Sequence, residues 1–202
     1  MKAVNVIEGR MVPLDRADVD TDQIMPKQFL KRIERTGFGE FVFFDWRAAA
    51  DFVLNDPRYE GANVLVTGPN FGSGSSREHA PWGLAQYGFE AIVAPSFADI
   101  FRNNCAKIGL LTVALPAKVC RQLIELATQD PAGATVRIDL PAQTVTAPIG
   151  EWSFDIDPFT KHLLVEGLDD IGLTLQQTDA ITSFEAHRPS WLPRTVSTQS
   201  PL

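Results

Sequence analysis

Three short apolar runs, "ANVLVTG", "FEAIVAP" and "LLTVALP", recur between residues 62 and 116. None alternates polar with apolar residues, so each reads as a strand buried on both faces. The intervening "EHAPWGLAQYG" and "SFADIFRNNCAKIG" read as helices. Pro81 must lie in the first turn of the one, and Ser96 and Gly109 mark the start and stop of the other. Strand–helix–strand–helix–strand of this kind predicts a parallel sheet covered by helices, an α/β fold.

The flanks add to that unit. "VIEGRMVPL" predicts an early strand closed by Pro13. Asp15, Asp18, Asp20, Thr21 and Asp22 then crowd into eight residues. Such short side chains compete for local backbone bonds, so this is a loop or a cap. A short helix follows Pro26. "RTGFGEFVFFDWR", with two glycines and five aromatics, is either a mobile covering loop or a packed connection. Beyond residue 116 come a helix, "AKVCRQLIELATQ", and a hairpin, "ATVRIDLPAQTVTAPI". A helix capped by Asp157 with Pro158 at its first position follows, then a last helix, "TLQQTDAITSFEAH". Residues 1–188 read as one domain and 189–202, rich in Pro, Ser and Thr, as a disordered tail.

Composition excludes several functions. The formal net charge of −7 over 202 residues disfavours nucleic acid and anionic membranes as partners. No run approaches the roughly 20 apolar residues of a membrane span, and residues 1–20 lack the apolar stretch of a signal peptide. Two cysteines, Cys105 and Cys120, make no disulfide framework, and with three scattered histidines they make a poor metal site. A reducing, cytoplasmic setting is expected.

"NFGSGSSREHAPWGL", residues 70–84, carries the chemistry. It leaves a predicted strand and enters a predicted helix, the place where open α/β sheets bind ligands. Gly72 and Gly74 admit close backbone approach, and a helix start offers unpaired N–H groups, so the segment is an anion cradle. It is not a dinucleotide fingerprint, since Arg77 replaces the third glycine. Nor is it a Walker loop, which needs lysine, or a hydrolase elbow, since Glu78 replaces the last glycine. Arg77 offers a planar fork suited to a carboxylate. A serine becomes a base only where backbone N–H groups, a helix start and a cation stabilise its alkoxide. A plainer reading is open on the same residues: Ser75 or Ser76 caps the helix and Arg77 pairs with a surface acid. His79 reads as a hydrogen-bonded residue of the helix start.

With "PSFADIFRNN" downstream and "DVDTDQIMPKQFLK" upstream, the segment resembles the small-subunit family of the bacterial isopropylmalate isomerases. That family is the swivelling domain of the aconitase superfamily, made as a separate chain. The likeness runs from about residue 5 to about residue 188, through "GLDDIGLTLQQTDAI". It implies a β/β/α swivelling domain with a mostly parallel sheet flanked by helices. It implies a large-subunit partner carrying a 4Fe–4S cluster, with no metal or cofactor on this chain. The implied reaction takes 2-isopropylmalate through 2-isopropylmaleate to 3-isopropylmalate in leucine biosynthesis. The implied roles are Ser75 as catalytic base, and Ser76, Arg77, Thr21, Asp22 and Lys31 (or Arg32 in its stead) around the dicarboxylate. Phe29, Leu30, Phe38 and Phe41 are candidates for an apolar wall against the isopropyl group. A related dehydratase of the methylmalate or homoaconitase type, or a non-catalytic dicarboxylate-binding module, would share these features.

Overall fold

A computed structural model describes residues 1–32, 34–189, 191 and 192. Seven strands form one sheet in the order β4-β3-β2-β1-β5-β6-β7. The three apolar runs are β2 (Val64–Thr67), β3 (Ala91–Ala94) and β4 (Leu111–Ala114), all parallel, with β1 (Val6–Leu14) parallel to β2. An antiparallel ribbon of β5 (Thr135–Asp139), β6 (Thr144–Ala147) and β7 (Gly150–Ser153) continues the sheet beyond β1. The expected helix-flanked parallel sheet is therefore present, with its hairpin extension.

Burial follows the pleat. Met11, Val64, Val66, Val93 and Val113 face one core with Cys120, Leu123 and Ala127 of α4 (Ala117–Gln129). Val12, Leu65 and Ile92 face the other, with Leu84 of α2 (His79–Tyr87) and Phe101 and Cys105 of α3 (Asp99–Ile108). Each of these Val, Leu, Ile, Phe and Met side chains removed from water contributes about 1.5–3 kcal/mol. The chain from Gly39 to Tyr59 runs through four 3-10 turns and packs on this second core. Phe38, Val42 and Phe43 are fully buried, so the aromatic-rich stretch is a packed connection.

Four local expectations differ in detail. Pro13 does not close β1, because pairing with β5 ends at Arg10 and a missing N–H on that side costs nothing. Ser96 does not cap α3. Its hydroxyl accepts the Asn70 N–H at 2.9 Å, and Ala98 is the cap residue. Lys27–Lys31 after Pro26 is a 3-10 turn. The last helical stretch is two pieces, α6 (Asp170–Leu175) and α7 (Thr178–Ala186); the Thr174 hydroxyl donates to the Asp170 carbonyl, an alternative to helix continuation. Asp157 and Pro158 open α5 (Pro158–Glu166) as expected.

The chain divides into two compact units, Met1–Asp169 and Asp170–Leu202. Of the tail expected to be disordered, Ser190 and 193–202 lie outside the described residues.

Candidate active site

Because β1, β2 and β3 are parallel neighbours, the loops after them leave from the same edge of the sheet. The loop after β1 leads into α1 (Thr21–Ile24), whose N-cap Asp20 forms a capping box with Gln23. The loop after β2 lies against it, stitched by backbone bonds. Asp18 N–H donates to Pro69 at 2.9 Å, Gly72 N–H to Val19 at 2.8 Å and Thr21 N–H to Ser73 at 2.9 Å. The Thr21 hydroxyl donates to the Ser75 carbonyl at 2.9 Å. The loop after β3 joins on the other side, with Phe71 N–H bonded to Ser96 and Ala98 N–H to Phe71.

This stitching explains the odd composition of the segment. Gly72 and Gly74 have φ of +77° and +87°, which L side chains avoid, and a Cβ on Gly72 would lie 2.1 Å from the Phe101 ring. Asp18 and Asn70 also sit at positive φ, where short polar side chains are tolerated, and the Asn70 amide donates to the Asp18 carboxylate at 2.7 Å.

A cavity of about 280 Å³ opens where the three loops meet. Thr21, Ser75 and Arg77 line it together with Asp99, Ile100 and Phe101. Neither Ser75 nor Ser76 caps α2; Glu78 is the N-cap residue and no side chain closes that end. Arg77 donates from Nη1 to Asp22, its side chain 19% exposed and that of Asp22 48%. The structure thus brings Thr21, Ser75 and Arg77 to one cavity and Asp22 to its side. Ser76 and Lys31 are exposed and are not among the lining residues. Asp99, Ile100 and Phe101 were missed as site residues. The available signal was their position at a helix start after the next parallel strand. Phe38, proposed for an apolar wall, is spent in the core, and Phe29 and Phe41 stack on each other at 4.0 Å.

His79 packs edge-on to Phe38 at 5.2 Å and against Trp82 at 4.9 Å. Burial, with the Arg77 charge adding to it, lowers its pKa against the pull of Glu78, so the ring is neutral at pH 7. A larger concavity of about 640 Å³ at residues 54–63 and the end of α2 is lined by Asp56, Glu60 and Glu90. Three acids there repel a dianion, and the cradle at Ser75 is the better anion site.

The chain does not fit an iron–sulphur cluster, which is held by cysteine thiolates. Cys105 and Cys120 belong to the two different cores, on opposite faces of the sheet. Burial pushes the Cys105 thiol well up and the Cys120 thiol up to about 11. Among the described residues, no three His, Cys, Asp or Glu side chains are grouped to hold a metal.

Residues 1–118 match the family model for the aconitase C-terminal domain, so the sheet and its cradle belong to a domain of the aconitase type. The match continues through a LeuD_N model at 121–158 and the C-terminal domain of the 3-isopropylmalate dehydratase small subunit at 170–196. The 3-isopropylmalate dehydratase small subunit of Rubrobacter xylanophilus is 54% identical over 97% of this chain and its own whole length. That of Frankia alni is 53% identical over the same shares. The chain belongs to the family of 3-isopropylmalate dehydratase small subunits. A crystal structure of 3-isopropylmalate dehydratase from Methanocaldococcus jannaschii shares the fold, with a TM-score of 0.62 at 24% identity, over 89% of this chain and 99% of that one.

Proposed function

We propose that this chain is the small subunit of a 3-isopropylmalate dehydratase, a cytoplasmic hydro-lyase that moves a hydroxyl between adjacent carbons of isopropylmalate. The observation that carries this is the joining of Ser75, Thr21 and Arg77 in one cavity, on a chain more than half identical to such subunits over its length. No helix among the described residues is long and apolar enough to cross a membrane.

Arg77 holds a substrate carboxylate, its remaining N–H groups forming the fork that a carboxylate matches. Ser75, as the alkoxide, takes the proton from the carbon next to the carbinol and becomes the neutral hydroxyl. That C–H pair becomes the new double bond of 2-isopropylmaleate as hydroxide departs. Returning the proton and adding water in the opposite sense gives 3-isopropylmalate. The Ser75 hydroxyl has no protein partner among the described residues and is exposed, so it is free to meet a substrate. Thr21 fixes the Ser75 backbone through its 2.9 Å bond. Ser76 and Lys31, exposed and outside the cavity lining, are assigned as further substrate contacts in this reading. A 4Fe–4S cluster on a large-subunit partner would supply the Lewis acidity that loosens the hydroxyl.

Reconstitution tests the reading. The chain by itself is inert towards 2-isopropylmalate, and adding the large subunit restores turnover. Turnover by the chain alone would overturn it. A pair faster on methylmalate or homocitrate would move the assignment to a sister dehydratase, and binding without turnover would make the chain a dicarboxylate-binding module.

A further inference from the structure

Asp22 stands beside the substrate cradle with a negative charge, which poses a problem if the ligand is a dicarboxylate. Two carboxylates brought together repel, so Asp22 is ill suited to touch the substrate's own. The geometry assigns it another partner. Its Oδ1 accepts from Nη1 of Arg77, and it is the one acceptor that guanidinium has among the described residues. Arg77 lines the cavity and Asp22 does not.

We infer that Asp22 is a positioning residue for Arg77 and not a ligand of the substrate. Its backbone is suited to that task. The capping box fixes the first turn of α1, and the Thr21 bonds to Ser73 and Ser75 fix that turn against the loop carrying Arg77. An arginine otherwise loses substantial rotamer freedom when it grips a ligand. Asp22 takes up one N–H and holds the plane still, leaving other N–H groups to the substrate before it arrives. The cost is one negative charge near the site, which Arg77 itself neutralises.

This rests on the reading of Arg77 as the carboxylate clamp, and the test separates the two. In the reconstituted pair, Asp22→Ala raises KM by about three- to tenfold, the cost of ordering one long side chain, with kcat within about twofold. Asp22→Asn, which keeps an acceptor oxygen, lies between. In an Arg77→Ala background the Asp22→Ala effect vanishes, because there is nothing left to position. An equal KM loss in both backgrounds would show Asp22 acting on substrate directly and would overturn the inference; so would a fall in kcat with KM unchanged. The full chain without its partner provides a second readout. The Arg77 Nε–H resonance is rigid on the nanosecond scale in the wild type and becomes mobile in Asp22→Ala. Equal mobility in both overturns the inference whatever the substrate proves to be. Absence of isopropylmalate turnover in the wild-type pair counts instead against the proposed function.

Discussion

Two neighbouring regions of the first unit are held by opposite means. The stretch from Phe38 to Tyr59 is fixed by burial: Phe38, Val42 and Phe43 are fully inside, and Phe43 stacks on Trp46 at 5.3 Å and 5°. The paired loops after β1 and β2 bury few side chains at their tips. Gly74, Ser75 and Ser76 are exposed, and main-chain hydrogen bonds and positive-φ residues set their shape. Burial holds a position strongly but leaves no polar group free to act. A hydrogen-bonded loop edge holds its backbone while presenting hydroxyls and a guanidinium to a ligand, as electrostatic catalysis needs.

The contrast can be broken from either side. Phe43→Ala should cost the chain about 3–5 kcal/mol, since it leaves a cavity in a closed core, measured by urea unfolding. The site loops should survive in whatever fraction stays folded. Arg77→Lys should leave stability almost untouched and raise KM in the pair about tenfold, because an ammonium cannot form the two-pronged contact. An unaltered KM would remove Arg77 from the clamp role. Thr21→Val should cost about 1 kcal/mol, the net worth of its hydroxyl's bond to the Ser75 carbonyl. Its effect on kcat should exceed that of any equally mild core change.

Acid should produce the smallest effect, on the aromatic side. The folded pKa of His79 lies below the unfolded 6.5. The unfolded chain therefore binds the proton first. The stability carried by the neutral ring is complete above about pH 6.5 and declines as pH falls towards the lowered folded value. His79→Phe should flatten that part of a stability profile between pH 7 and 5. An unchanged profile would show the ring to be as solvated folded as unfolded.

Much of this architecture was legible in the residues. The apolar runs at 64–67 and 91–94 announced buried parallel strands because both faces of each are covered, whereas β4 is the edge strand and buries only the Leu111 and Val113 face fully, Thr112 being half-buried and Ala114 exposed. Pro158 after Asp157 announced a helix start because proline lacks only an N–H that the start does not use. The segment at 70–79 stood out as a loop between strand and helix because Gly72 and Gly74 admit the positive φ that the loop takes. What stayed hidden depends on distant chain segments. Ser96 looks like a helix cap until Asn70 claims its oxygen. Asp22 and Arg77 are 55 residues apart, and nothing in either stretch announces their pairing. Ile100 and Asp99 border the cavity only because the loop after β3 folds beside the loop after β2. Phe29 and Phe41 look like a ligand wall as readily as the stacked pair they form.

Proton exchange at the substrate carbon is the most direct measurement. With the reconstituted pair in deuterated water, recovered 2-isopropylmalate should acquire deuterium at the carbon that gives up its proton. Ser75→Ala should slow that exchange by about 10²–10⁴-fold, the usual contribution of a positioned base, while substrate still binds. Exchange at the wild-type rate in Ser75→Ala would show that the proton goes elsewhere and would contradict the assignment of this chain's cradle as the source of the base.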